Sequence, residues 1–151
     1  MNNQMALAKP KFNSAPVLRF DIFRGVAQSD GAIVKIKSVG VALLREPSST
    51  YTLLLNMFVN DAFYLVPARK SETSAEYVIM TRSHSPNPKK RYIWRAVGEA
   101  HLIENERGGA FKLSWDLFPG SDIYMSLHPK PIAFEKCAVI ALKQVLKTDN
   151  Q

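Results

Sequence analysis

Tyr51, Leu53, Leu55 and Met57 occupy every second position, and Phe111, Leu113, Trp115 and Leu117 repeat the arrangement sixty residues on. Side chains alternate across a strand, so each set lines one face of one strand. Two longer stretches, 33–46 and 91–104, show the same period. In the first, Val34, Ile36, Ser38, Gly40, Ala42 and Leu44 share a face; in the second, Tyr92, Trp94, Ala96, Gly98, Ala100 and Leu102 do. Both faces are bulky at the ends and small in the middle. A small-centred strand predicts a bulge or a close crossing by another backbone or helix. The opposite faces carry Lys35, Lys37 and Arg45, and Arg91, Arg95, Glu99 and His101, which are expected to meet solvent or a ligand.

The two long stretches are related. Val39-Gly40-x-Ala42-x-Leu44-x-Glu46 returns 58 residues later as Val97-Gly98-x-Ala100-x-Leu102-x-Glu104. At the same spacing Phe20 to Arg24 lies over Val78 to Arg82. After a two-residue insertion, Tyr51 to Phe58 lies over Phe111 to Phe118, and Phe63-Tyr64-Leu65 over Ile123-Tyr124-Met125. This reads as an internal duplication. Two copies are too few for a solenoid, so a closed pseudo-symmetric pair is expected.

Turn residues separate the strands. Gln28-Ser29-Asp30-Gly31, Pro47-Ser48-Ser49, Asn60-Asp61, Asn105 to Gly109 and Pro119-Gly120-Ser121 all punctuate the pattern. His84-Ser85-Pro86-Asn87-Pro88-Lys89-Lys90 holds two prolines and predicts an irregular hairpin tip. Residues 1–16 read as a loose, weakly basic arm. After Pro131 the period changes. Phe134, Cys137, Ala138, Ala141, Leu142 and Val145 recur at helical spacing opposite Lys136, Lys143, Gln144 and Lys147. They predict an amphipathic helix over 131–147, covering an open end or face of the sheet.

The predicted fold is therefore mainly β: two fused four-stranded antiparallel repeats, 17–70 and 75–130, forming a pseudo-twofold barrel or sandwich, plus one C-terminal α-helix. At 151 residues and 46% hydrophobic content, one shared core is expected across 17–147.

The net charge is +7. It favours an acidic partner such as nucleic acid, or it serves solubility alone. One cysteine, Cys137, excludes an internal disulfide and a cysteine-based metal cluster. No secretory signal and no bilayer-spanning apolar run is present, so a cytoplasmic protein without membrane contact is expected.

Catalytic chemistry is absent from the pattern. His84, His101 and His128 are scattered, no phosphate loop or dinucleotide fingerprint occurs, and no nucleophile is spaced to a base. No enzyme, metal or cofactor is expected. The positive signal is Lys89-Lys90-Arg91-Tyr92-x-Trp94-Arg95, where cations and aromatics interleave at a hairpin tip. Proteins that bind single strands combine cationic grooves with stacking rings. With Tyr92 and Trp94 on the core face, only the charges remain to hold phosphates.

The second repeat resembles small proteins, of uncharacterised biochemistry, from proteobacterial plasmids and integrative conjugative elements. The shared features are Tyr92-x-Trp94-Arg95-x-Val97-Gly98-x-Ala100, a Gly-Gly turn, Phe111-Lys112-Leu113-x-x-Asp116-Leu117-Phe118-Pro119-Gly120 and a closing Ile123-Tyr124-Met125. The likeness covers about 77–127 and more weakly 20–65. The first repeat departs from it, with Ile36 for Trp94, Val59 for Pro119 and no Gly-Gly turn. What the resemblance implies is a setting of mobile DNA and conjugation.

The leading expectation is a non-enzymatic accessory protein of a mobile genetic element. It contacts nucleic acid, single-stranded by preference, through Lys35, Lys37, Lys89, Lys90, Arg91 and Arg95. The rival is a protein–protein adaptor, subunit or inhibitor in a larger assembly, using a sheet edge, the helix, or exposed Phe23, Tyr64 and Tyr124.

Overall fold

A computed structural model describes residues 16–69, 74–116 and 118–130, which form eight antiparallel strands closed into one barrel. The wall runs in chain order: β1 (Val17–Ala27), β2 (Ile33–Arg45), β3 (Tyr51–Leu55), β4 (Ala62–Pro67), β5 (Tyr77–His84), β6 (Tyr92–Asn105), β7 (Gly108–Trp115) and β8 (Ile123–Ser126). β8 pairs back onto β1. The fold is mainly β, and of the two expected architectures it is the barrel. The N-terminal arm up to residue 15 and the helix expected over 131–147 lie outside the described residues.

A meander needs only short turns, and its closure removes the unpaired edges that an open sheet would present. Eight strands leave an interior just wide enough for side chains to fill. The alternation supplies them. Ile22, Leu53, Leu65, Ile79, Leu113 and Met125 form a fully buried aliphatic layer. Phe20, Tyr51, Tyr77 and Phe111 meet edge to face where β3 begins, with ring centres 5.4 to 5.6 Å apart. Phe58, Phe63, Trp115 and Phe118 close the other end, Phe63 lying 4.9 Å from Trp115. Each such pair contributes about 0.5–1.5 kcal/mol beyond its burial. Burial, then the neighbouring Tyr77, push the Tyr51 phenol up to about 12, so it stays neutral in the core.

The long strands β2 and β6 each carry a bulge beside a glycine. Ile22 pairs with Gly40 but Phe23 with Ser38, which leaves Val39 without a partner on β1. Ile79 pairs with Gly98 but Met80 with Ala96, which leaves out Val97. The carbonyls of the skipped residues are satisfied from the turns after the neighbouring strands. The Asn56 amide donates to Val39 at 2.9 Å, and the Asp116 amide to Val97 at 2.8 Å. The close approach expected at the small positions is made by the next strand's backbone. A Cβ on Gly40 would overlap the Leu54 carbonyl oxygen, and one on Gly98 that of Ser114.

An extra residue reverses the alternation, which corrects the single face read for residues 34–44 and 92–102. Ala42 and Leu44 face the core, as Ala100 does. Before the Val97 bulge the even positions of β6 no longer do, and Trp94 is 43% exposed. The pairing of β2 with β1 shifts a second time between Arg24 and Gly25, which skips Ile36 and leaves it 60% exposed. The bulges also shift the match between the early strands. Ile22 and Ile79, each opposite a bulge glycine, are 57 residues apart rather than 58. β1 runs three residues beyond its expected end at Arg24.

Gly98→Val tests the bulge contact. The added carbons would meet the Ser114 carbonyl, with Ile79 Cδ1 and Trp115 Cα each 3.1 Å from the new Cβ. We expect a loss of about 1–3 kcal/mol in stability, read as a lower melting temperature; a melt within error of wild type would contradict the packing.

Candidate functional site

Beyond the bulges, two hairpin arms overshoot the barrel wall. β3 pairs with β2 only over Gly40 to Leu44, so the β2 residues before Val39 pair with β1 alone. β7 pairs with β6 only from Gly98 onward, so Tyr92 to Ala96 pair with β5 alone. Both arms fold back along the barrel's outer face, with different results.

The first arm is shut. Phe23 stacks on Tyr124 with ring centres 5.8 Å apart, and Ile33, Ile103 and Ala110 complete an apolar cluster outside the barrel. Gly25 makes room: a Cβ there would sit 3.1 Å from both Tyr124 and Ile33. The tip is tied across to the β6–β7 turn. Asn105 Nδ2 donates to the Gly31 carbonyl, and Arg107 lies 3.8 Å from Asp30. A cavity of only about 240 Å³ remains beside this arm.

The second arm touches the wall at Tyr64 and leaves a cleft beside it. On β5 an arginine, Arg82, faces Trp94 across the hairpin. Its guanidinium lies 4.2 Å from the Tyr92 ring centre, 4.8 Å from Tyr64 and 5.6 Å from Trp94. Tyr64, outward on β4, meets Trp94 edge to face at 5.2 Å. Between this box and the β2–β3 connection lies a cleft of about 550 Å³, lined by Leu43, Arg45, Glu46 and Thr52 as well as Tyr64, Arg82 and Trp94. Among the described residues no carboxylate pairs with Arg82 or Arg45. The tip, 85–91, is held by its own turn bonds, including Lys90 N–H to the Asn87 carbonyl at 3.0 Å and Lys89 N–H to Asn87 Oδ1 at 3.0 Å.

The six cations named from sequence divide between the arms. Lys89, Lys90, Arg91 and Arg95 are exposed on the second arm, and Arg91 lies 5.3 Å from the Tyr92 ring centre. Lys35 and Lys37 are exposed on β2, which three strands separate from β6 whichever way round the barrel one counts. The two groups therefore form separate patches. The bulge at Val97 puts Tyr92 and Trp94 outside the core, beside the charges. Of the surface aromatics named for an adaptor, Tyr124 is 2% exposed and Phe23 is buried against it; the shut arm covers them, and only Tyr64 remains accessible. Sequence reasoning passed over Arg82. Its signal was present: Met80, Arg82 and His84 alternate outward on β5, with Arg82 opposite an aromatic strand.

Lys35 is already engaged. Its ammonium donates to Asp21, a carboxylate only 4% exposed that also accepts from Ser38 Oγ and lies 3.4 Å from Lys130 Nζ. Burial alone would push the Asp21 carboxyl up. Hydrogen bonds from Lys35 and Ser38 and the charge of Lys130 outweigh it and hold the group below its ordinary value of 3.8. A depressed native value means that the contribution to stability is complete above the unfolded value and is lost as pH falls through the native one. Asp21→Asn is thus expected to cost about 1–3 kcal/mol at neutral pH, with the gap to wild type narrowing at an acid pH below the ordinary value of 3.8. Urea denaturation at both pH values measures it; an equal gap at each would contradict the assignment.

Among the described residues no three His, Cys, Asp or Glu side chains cluster to hold a metal ion. Comparison of the chain with protein-family models, curated proteins and solved structures gives no match.

Proposed function

We propose that this chain is a non-enzymatic accessory protein that contacts single-stranded nucleic acid through its second hairpin arm. The observation that carries this reading is the arm itself. Four cations, Lys89, Lys90, Arg91 and Arg95, stand in solvent at a tip held by its own turn bonds, next to an arginine set among three aromatic rings. Cations spaced along an extended hairpin suit phosphates spaced along a strand, and exposed rings suit unstacked bases. Lys37 adds a weaker contact on the other arm, and Lys35 contributes less because Asp21 already neutralises it. The likeness of 77–127 to proteins of plasmids and conjugative elements supplies the setting, a mobile genetic element. The adaptor reading is weaker because two of its three named aromatics are covered.

We further infer that the barrel arose by duplication of a four-stranded unit, giving it an approximate twofold relation. Support comes from paired details. Gly40 lies opposite Leu55 and Gly98 opposite Trp115, each glycine is followed across the sheet by a skipped valine, and each valine carbonyl accepts from the turn after the next strand.

Replacing Lys89, Lys90, Arg91 and Arg95 with Gln should weaken binding to labelled single-stranded oligonucleotides in fluorescence anisotropy. The log–log salt slope should flatten by up to about 0.7 per lost contact. Folding should be unaffected, since exposed charges contribute little to stability. No binding by wild type at low salt, or equal binding by the variant, would reject the reading.

A further inference from the structure

We infer that the cleft beneath the second arm seats one nucleotide of the bound strand, its base stacked on Trp94 and its phosphate held by Arg82. The inference deepens the nucleic-acid reading above and rests on it. Three observations carry it.

The first is shape. The barrel has two arms and two outer walls, yet only one arm closes. Gly25 and Phe23 let the first arm lie on Tyr124. On the second arm, Arg82 and Trp94 rest on Tyr64 of the wall, and a cleft is left between them and the β2–β3 connection. The resulting cleft, about 550 Å³, falls within the range of about 300–1,000 Å³ that holds small organic ligands.

The second is chemistry. The cleft combines an exposed indole, a tyrosine ring and two arginines without carboxylate partners among the described residues. A guanidinium flanked by ring faces keeps its donors at the edge of its plane, where they can meet a phosphate in bidentate fashion. Its rotamer is restrained before the ligand arrives, so less entropy is lost on binding. Glu46 also lines the cleft, as an acceptor for a base's ring N–H or exocyclic amino group.

The third is continuity. Arg91 and Arg95 alternate with Tyr92 and Trp94 along the arm, and Arg91 reaches back to within 5.3 Å of the Tyr92 ring centre, so the cationic face meets the ring face at the arm's edge. A neutral apolar ligand would leave Arg82 and Arg45 unpaired, and an acidic peptide would leave the rings unused.

The chain has two tryptophans. Trp115 is buried in the barrel and Trp94 is exposed, which makes Trp94 emission a direct probe. The experiment titrates wild type, Trp94→Phe and Trp94→Ala with oligothymidylate, with an abasic oligonucleotide of equal length, and with thymidine monophosphate. Oligothymidylate should quench wild-type emission. The abasic strand should bind without quenching. Trp94→Phe should show no quenching while its remaining Trp115 emission reports an intact core. Trp94→Ala should weaken oligothymidylate binding by about 5- to 150-fold and leave abasic binding unchanged. Binding of oligothymidylate without quenching, and with equal affinity in Trp94→Ala, would overturn the nucleotide site but leave the phosphate contacts of the arm standing. Absence of binding by both oligonucleotides would overturn both readings. Equal quenching by thymidine monophosphate at the same concentration would make the occupant a free nucleotide and overturn the strand-bound form of the proposal.

Discussion

The approach of each bulge glycine to a neighbouring carbonyl, Gly40 to Leu54 and Gly98 to Ser114, governs how the inside and outside of this barrel are assigned. Without a bulge, the inward residues of β2 and β6 would continue in phase past the barrel mouth and expose their apolar side beyond any partner. The skipped valine resets the phase. Its carbonyl is satisfied from the next turn, so the reset leaves no buried acceptor unpaired. Beyond it each hairpin meets the outer wall, at Tyr124 in the first and Tyr64 in the second, and bulged strands bend and twist in this way. The core and the arms are thus two consequences of one backbone contact.

The arms then diverge through a few side chains. In the first, small and apolar groups allow contact with the wall, and the Asp21 network with Lys35, Ser38 and Lys130 fixes the arm's base. In the second, a cation among rings makes the contact with the wall, and a cleft remains beside it. Arginine near aromatic faces is stabilised by about 0.5–2 kcal/mol per favourable contact, so the open arrangement has its own energetic support. One arm serves the structure, and the other offers a surface built from the same backbone.

Much of the fold is legible in the sequence. The period-two runs over Tyr51 to Met57 and Phe111 to Leu117 give the strands and their inner faces as far as Leu55 and Trp115, while Met57, beyond the end of β3, is 77% exposed. Turns fall within the Asn105 to Gly109 and Pro119 to Ser121 segments. Barrel closure is harder to read, because it depends on the pairing of β8 with β1 and no local pattern specifies a contact across a hundred residues. The faces of β2 and β6 were misread for a related reason. A bulge changes nothing in composition, and Gly40 and Gly98 mark where it can occur without saying that the phase reverses there. That reversal decides the site. It moves Trp94 out of the core and beside Arg82, a residue whose setting comes from rings on two other strands, β4 and β6, rather than from any motif.

Native-state hydrogen exchange on the two arms tests the central claim that the first is sealed by an apolar cluster and tip ties, while the second rests on a cation among rings beside a cleft. Amides shared between β1 and β2 beyond Gly25 should exchange at least about tenfold more slowly than those shared between β5 and β6 beyond Thr81, since local opening of the first arm must also break its apolar cluster and tip ties. Equal exchange in the two arms, or faster exchange in the first, would contradict the account.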